Sequence, residues 1–359
     1  MSPLGGPTGV GTSAARRFAG RQALLRTDAD LPALGLECPP PRRVDPLLAA
    51  RLDARLLKWA ERIGLYHGRL EQVRAAGFGR LAALCYPGTD NEDLLLVPAR
   101  CALAIWAMDD HYCDNPDLGA VPSLLGSRLA RASAVLGRVS LPARFEAPFA
   151  AAIRDDPALE GLRSAVGHLQ RITTPAQLDR TLHTLRSLFT GLAQEGTWRA
   201  TGHRPLVWEY LLNRQANSFT PCMTVIDALG GYQLPANVWA HPRVQDAVGT
   251  AALAASIAND IHSADVEDEG GDFNLQQAIV TEQDCTPAEA LHLSAGLHNE
   301  LMHRFHRQRA HLTVSGPREL PRFLDGVLDW CAGSLAWHQS APRYRQRPGR
   351  PSPYGKEQP

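Results

Sequence analysis

From Asp45 onward, apolar residues recur at intervals of three and four. Leu47, Leu48, Leu52, Leu56, Leu57, Trp59 and Ile63 make one stripe that stops near Gly64, which is the spacing of an amphipathic helix. The same period returns over about 68–80, 91–113, 120–137, 145–171, 175–199, 205–229, 243–267, 286–314 and 319–340. Breakers separate these runs: Pro87-Gly88, Asn115-Pro116, Gly202, Gly230-Gly231, Gly270-Gly271 and Ser315-Gly316-Pro317. No stretch alternates with period two between hairpin turns, and there is no GxGxxG or Walker-type loop and no internal repeat of 20–50 residues. The pattern predicts an all-α fold, a single bundle of about ten helices.

The ends lack this period. Residues 1–44 are rich in Gly, Pro and Arg, and 345–359 read RQRPGRPSPYGKEQP. Neither segment holds enough apolar surface to offset the entropy of ordering it, so both are expected to be largely flexible, flanking a helical domain over 45–344. Lys and Arg together number 37, as do Asp and Glu. No global field therefore points to nucleic acid or to an anionic membrane. The seven cysteines are scattered, without CxxC pairs, and no run approaches the roughly 18 apolar residues of a membrane span. A cytoplasmic protein with reduced thiols and no membrane insertion is the expectation.

Two polar clusters interrupt the apolar helices. The run LLLVPARCALAIWAM leads straight into Asp109, Asp110, His111, Tyr112, Cys113 and Asp114, followed by Asn115, Pro116 and Asp117. Carboxylates in a last helical turn meet the negative end of the helix dipole, at a cost of ~0.3–1 kcal/mol each. A solvated helix end accounts for the pattern; so does a bound hard cation, since carboxylate oxygens suit Mg²⁺, which keeps waters and shares substrate phosphates. Further along, AALAASIA meets Asn259, Asp260, Ile261, His262, Ser263, Ala264, Asp265, Val266 and Glu267. Asn259, Ser263 and Glu267 are spaced four and four, which stacks an amide, a hydroxyl and a carboxylate on one helix face. Exposed polar residues explain that column alone. Both clusters in one helical chain make coincidence a poorer account.

DDHYCD at 109–114 with NDIHSADVE at 259–267 resembles the aspartate-rich motif and the Asn-Ser-Glu triad of bacterial class I terpene cyclases, and the likeness extends over most of 36–344. It implies the single-domain class I terpene synthase bundle around a central active-site cavity. Asp109, Asp110, Asp114, Asn259, Ser263 and Glu267 would be metal ligands, holding three Mg²⁺ with diphosphate. Arg214, 45 residues before Asn259, matches the diphosphate-sensing arginine, and Arg343-Tyr344 matches the pair beyond the last helix. Asn217 and Ser218 fall at the linker and effector positions of a helix break. Val266 stands where a lysine often precedes the triad glutamate, which removes a cation but no ligand. The stretches WAERIGLYHGRLEQVRAAGFGRL, RPLVWEYLLNRQANSFTPCMTVIDALGGYQLP and GDFNLQQAI are similar to the 2-methylisoborneol synthase group, whose substrate is 2-methylgeranyl diphosphate. Homodimers are common in the wider family.

Ionising an allylic diphosphate requires stabilisation of the leaving group and protection of the cation. Cations favour the negative faces of aromatic rings, worth ~0.5–2 kcal/mol each when desolvated. Trp106 and Trp337 are the first candidates for substrate binding, with Phe219 and Trp208 behind them; aromatics at helical spacing serve equally well as plain core. His111 and His262 read as neighbours of the site or surface residues rather than as bases or ligands. A chain-elongating prenyltransferase would carry a second aspartate-rich motif in place of Asn/Ser/Glu. A catalytically silent helical scaffold or ligand-binding protein would not need ligands at both clusters. The function expected is cyclisation of a short prenyl diphosphate, 2-methylgeranyl diphosphate first, with geranyl or farnesyl diphosphate as the alternative.

Overall fold

The computed structural model describes residues 34–114, 118–137, 139–270 and 273–341, with side chains throughout except at 114, 264–270 and 315. Among them every regular element is helical. The main helices are α1 (Pro46–Ile63), α2 (Leu70–Ala76), α3 (Phe78–Cys85), α4 (Glu92–Asp109), α5 (Leu125–Val135), α6 (Ala143–Arg154), α7 (Pro157–Gln170), α8 (Pro175–Thr201) and α9 (Val207–Ala216). After three single turns at Thr220–Met223, Ile226–Leu229 and Ala236–Trp239 come α10 (Pro242–Gly270), α11 (Leu275–Gln283), α12 (Pro287–Ser315) and α13 (Glu319–Ser340).

Local chemistry sets the ends. Asp45 caps α1 by accepting from the Leu48 N–H, Pro46 fills its first turn, and Gly64 closes it in the left-handed region at φ 84°. Thr174 with Gln177, and Thr286 with Glu289, make capping boxes at the starts of α8 and α12. Three expected helices turn out to be broken. Gly77, at φ 64°, ends α2 and starts α3. Asp156 caps a new helix at Pro157 within the expected 145–171 run. The stretch 205–229 ends as a regular helix at Ala216. In each, the apolar period continues across a turn that satisfies its own backbone groups, so periodicity alone joins the pieces. Helix α11, nine residues long, is too short for the apolar period to register.

The packed chain also begins earlier than composition implies. Leu34 is buried, the Glu37 N–H donates to Asn299 Oδ1, and Asn299 Nδ2 donates to the Gly35 carbonyl. Arg43 donates to the carbonyls of Ala83, Tyr86 and Thr89. Polar pairing, which leaves no apolar period, holds this strip. Of the segments expected to be flexible, 1–44 and 345–359, residues 1–33 and 345–359 lie outside the described residues.

The largest core runs through α1, α3, α4, α10 and α13, with Leu52, Leu56, Leu95, Leu103, Phe323 and Trp330 fully buried. Helix α3 is pinched on both sides. A Cβ at Gly79 would stand 2.4 Å from the Asp53 backbone nitrogen of α1, and one at Gly333 of α13 would stand 2.5 Å from the Leu84 carbonyl carbon. Only glycine permits these approaches, which press Phe78 at the start of α3 into the bundle. At the other end, Arg180 donates twice to the Thr224 carbonyl and pairs with Asp227, which itself accepts from the Ala228 and Leu234 N–H groups. This buried clamp fixes the irregular segment between α9 and α10. No helix among the described residues is long and apolar enough to cross a membrane.

The α1–α3 contact carries a pH signature. Asp53 Oδ1 accepts from the Gly79 N–H at 2.7 Å. Burial pushes its carboxyl up to about 6, against the opposing pull of the Gly79 and Arg80 N–H groups and the Arg80 charge. The folded state thus holds a proton that the unfolded chain releases near pH ~4, so this contribution is complete below pH ~4 and is lost as pH rises towards 6. Asp53→Asn keeps the acceptor without the charge. In urea unfolding it is expected to be more stable than the parent by about 1–3 kcal/mol at pH 7 and nearly level with it at pH 4.

Candidate active site

Helix α4 stays buried through Ala107 and Met108, then surfaces at the half-buried Asp109 and Asp110. There the winding changes, and Asp110–Asp114 form a π-helical turn, a feature that recurs at functional sites. Neighbours hold this turn on both flanks. Tyr112 donates its hydroxyl to Asp156 Oδ2 at 2.6 Å, while Asp156 Oδ1 caps α7. Burial, then Asp156, pushes the Tyr112 phenol well above its ordinary range. The Arg128 guanidinium lies over the Tyr112 ring, 5.3 Å from its centroid, and donates to the Gly119 carbonyl. On the opposite flank Tyr66 donates its hydroxyl to Asp110 Oδ2 at 2.7 Å. Tyr66 sits in the left-handed region at φ 53°, which costs a non-glycine residue about 1 kcal/mol or more, so its surroundings over-determine its place.

The second cluster lies on α10. Asn259 is half-buried, and Asp260, His262 and Ser263 are buried. Arg214, in the last turn of α9, spreads its guanidinium across this helix. Its Nη2 donates to Asn259 Oδ1 at 3.2 Å, to Asp260 Oδ1 at 2.7 Å and to the Ser256 carbonyl at 3.3 Å, while Nη1 donates to the Asn217 carbonyl at 3.0 Å. Burial raises the Asp260 carboxyl above the usual carboxylate range, against the pull of Arg214 and Tyr210, and its contact with Arg214 makes the two an ion pair. Ser263 donates its proton to the Asn259 carbonyl at 2.9 Å, which leaves its oxygen lone pairs for another partner.

Helix α9 breaks at Asn217, whose ψ of 71° leaves the helical region. Asn217 Nδ2 donates to Glu195 Oε1 at 2.9 Å, and Ser218 Oγ donates to the Gln215 carbonyl. The break lies against Gly191 of α8, where a Cβ would stand 2.8 Å from Asn217 N and Cβ.

Aromatic rings connect the two clusters. Tyr66 stacks on Trp106 with centroids 5.1 Å apart, Trp106 meets Phe78 edge-on at 5.3 Å, and Phe78 stacks on Trp337 at 5.7 Å. Trp337 meets His338 at 4.7 Å, and His338 Nε2 lies 3.0 Å from Asn259 Nδ2. A continuous row thus runs from Asp110 to Asn259. Phe219 borders it, 6.3 Å from His338 and 5.0 Å from Trp330. Trp337 is pinned by its indole N–H, which donates to the carbonyls of Ala76 and Gly77.

The structure therefore sets Trp106 beside the Asp109–Asp110 end of the row, Trp337 and Phe219 beside His338 at the Asn259 end, and Arg214 with the Asn217–Ser218 break against Asn259. Trp208 is a correction: it is 60% exposed, on the side of α9 opposite Tyr210 and Arg214, where the fold has no interior to receive it. Asp114 and Glu267 lie on described helical backbone, but their side chains, like all of Arg343 and Tyr344, are outside the described residues. His111 meets the Tyr66 ring edge-on at 5.6 Å, and His262 stands 5.7 Å from His338, so both neighbour the site as expected. Burial lowers the His111 pKa. Sequence reasoning missed Tyr66, Phe78 and His338. Phe78 lies between Gly77 and Gly79, and His338 follows Trp337; glycine flanks and a second ring beside a candidate aromatic were the available signals.

The donors are hard oxygens: two carboxylates at one rim, an amide and a hydroxyl at the other. Among the described residues no three His, Cys, Asp or Glu side chains gather at one point. Mg²⁺ ordinarily takes one or two carboxylates and completes its shell with water and phosphate, so a split donor set of this kind fits it.

Residues 100–304 match the family model described as terpene synthase family 2, C-terminal metal binding. The chain is 33% identical over 315 residues to 2-methylisoborneol synthase of Saccharopolyspora erythraea, covering 86% of this chain and 89% of that one. It is 35% identical over 353 residues to 2-methylisoborneol synthase of Streptomyces coelicolor, covering 94% and 79%. The crystal structure of the S. coelicolor enzyme in complex with Mg²⁺ and 2-fluoroneryl diphosphate superimposes with a TM-score of 0.83 at 33% identity, covering 88% of this chain and 98% of that one.

Tyr66→Phe keeps the ring stacked on Trp106 but removes the hydroxyl that anchors Asp110. It is expected to destabilise the fold by about 1–2 kcal/mol, the range of a hydrogen bond to a charged group that water partly replaces. Chemical denaturation at pH 7 measures this, and a loss below a few tenths would show that Asp110 does not depend on Tyr66.

Proposed function

Because the chain belongs to terpene synthase family 2, we propose that it ionises 2-methylgeranyl diphosphate and closes the cation to 2-methylisoborneol or a related methylated bornane-type monoterpenoid, with release of diphosphate. It is a class I terpene cyclase, and the observation that carries the narrower reading is the aromatic row joining a carboxylate rim to an Asn/Ser rim beneath a buried arginine.

In this reading Asp109, Asp110 and Asp114 hold Mg²⁺ at one rim, and Asn259, Ser263 and Glu267 at the other, three ions per site. Bound Mg²⁺ supplies Lewis acidity to the diphosphate oxygens as the C–O bond breaks. Arg214 adds a fixed guanidinium next to Asn259, already balanced by Asp260 and so in place before substrate arrives. Arg343 and Tyr344 bind the same leaving group from beyond α13. Asn217 and Ser218 present the backbone of the helix break to the substrate; the Arg214 contact to the Asn217 carbonyl supports linkage between diphosphate binding and that break. Trp106, Trp337 and Phe219 offer ring faces to the cation and exclude water from it.

The reading carries with it a cytoplasmic location, a helical cyclase domain over 45–344 and, as the assembly common in the family, a homodimer. All seven cysteines are free thiols, which supports a reducing compartment.

Purified protein with Mg²⁺ is expected to convert 2-methylgeranyl diphosphate to a methylated bornane-type product, read by mass spectrometry of volatiles. Turnover of farnesyl diphosphate alone would sink the C11 assignment, and absence of diphosphate release from geranyl, 2-methylgeranyl and farnesyl diphosphates would sink the enzyme. Asp109→Ala and Asn259→Leu are each expected to abolish turnover with helical circular dichroism intact; unchanged activity in both would refute the ligand assignment.

A further inference from the structure

Asn259 is held at both ends of its amide. Arg214 is donor-only, so the atom facing its Nη2 at 3.2 Å must be the oxygen. The nitrogen therefore faces His338 Nε2, 3.0 Å away. His338 is 1% exposed, and its Nδ1 lies 2.8 Å from the Ser334 carbonyl one turn earlier on α13, a group that can only accept. The Nδ1 proton is thus committed to Ser334, which leaves the Nε2 lone pair to accept from Asn259. The Ser334 hydroxyl also approaches Nδ1, at the longer distance of 3.5 Å, and the shorter contacts give one order of roles: Ser334 carbonyl, His338 Nδ1–H, His338 Nε2, Asn259 Nδ2–H, Asn259 Oδ1, Arg214.

We propose that His338 is a positioning residue for the metal site: as the neutral Nδ1–H tautomer it accepts from Asn259 and so keeps the amide oxygen, not the nitrogen, directed at the cation. This rests on the reading of Asn259 as a ligand. In the absence of the ion an amide free to rotate spends time with its NH₂ where the oxygen must be, and NH₂ cannot ligate Mg²⁺, so a held amide spares the cost of ordering it on binding. The ring that performs this task is itself fixed, packed against Trp337 at 4.7 Å and His262 at 5.7 Å. The last member of the aromatic row is therefore also the device that orients the second rim. Partners of this kind, which touch a ligand and not the metal, typically set metal affinity by about 10–100-fold.

Two measurements test it. The first needs no metal: histidine-labelled protein is recorded by long-range ¹H–¹⁵N NMR, with the His338 signals identified among the 13 histidines by their loss in His338→Gln. The neutral Nδ1–H tautomer is expected, and an Nε2–H tautomer or an imidazolium at pH 7.5 would overturn the inference. The second follows the thermal shift produced by Mg²⁺ with inorganic diphosphate, without turnover. His338→Phe is expected to raise the Mg²⁺ concentration for half the shift by about 10–100-fold, and His338→Gln, whose side-chain oxygen can accept from Asn259, to recover most of that loss. A full wild-type response in His338→Phe overturns the positioning role while leaving the cyclase reading intact. No shift in the wild-type protein overturns the metal reading, and the inference with it. Should His338→Phe not fold, the tautomer and the Gln variant decide.

Discussion

The buried guanidinium of Arg214 is the constraint around which the rest of the site is organised. A positive charge with so little access to water is tolerated only if its protons are matched, and breaking such a pair by deleting one partner typically costs about 3–5 kcal/mol. Asp260 supplies the countercharge; the Ser256 and Asn217 carbonyls and Asn259 Oδ1 take further protons. These partners come from α10 and from the end of α9. Satisfying one cation therefore sets the register of α10 against the helix break and brings Asn259 beside a fixed positive charge. Gly191 allows the break to lie closely enough on α8 for this to happen.

The opposite rim is fixed by different means. Its carboxylates stand at the end of a buried helix, where the dipole opposes them, and the structure meets them with the Tyr66 hydroxyl on Asp110 and a changed winding. Tyr66 reaches Asp110 from a backbone conformation that most residues avoid, and its ring then begins the stack leading to Trp106 and Phe78. Phe78 holds its place because glycines 79 and 333 let α3 approach α1 and α13 to backbone contact. The row between the rims is thus a consequence of helix packing. Rings fixed in this way can face a migrating cation without the entropy cost of ordering them on binding.

Much of this was legible in the residues, and what was missed has a common cause. The period of three and four gave the long helices, and Asp45, Gly64, Thr286 and Pro287 mark ends where they were expected. The acidic cluster, the Asn/Ser column and Arg214 are recognisable because their chemistry is displayed along a single helix or at a set spacing. Breaks at Gly77, Asp156 and Asn217 were hidden, since apolar residues keep period across them. Tyr66, Phe78 and His338 act through partners 44, 28 and 79 residues away in the chain, at Asp110, Trp106 and Asn259. No local pattern encodes such a partnership. Trp208 shows the reverse: a residue type suited to the pocket, in a segment that forms the site, on the wrong side of its helix.

The choice of an amide at 259 follows from the same contacts. A carboxylate there would also satisfy Arg214, and would bring an extra negative charge to the cation. Its second oxygen would then face His338 Nε2, and the two would hold together only if the ring took up a second proton, placing a buried imidazolium between the carboxylate and the Ser334 carbonyl. Asparagine alone among side chains of that length offers an acceptor to the arginine and a donor to the imidazole. The difference between the two rims, aspartates on one and Asn, Ser and Glu on the other, is thus tied at position 259 to the residues behind it. An aspartate at 259 would call for a protonated ring or a different residue at 338, and the pairing of Asn259 with His338 ties the second rim to the aromatic wall in one arrangement.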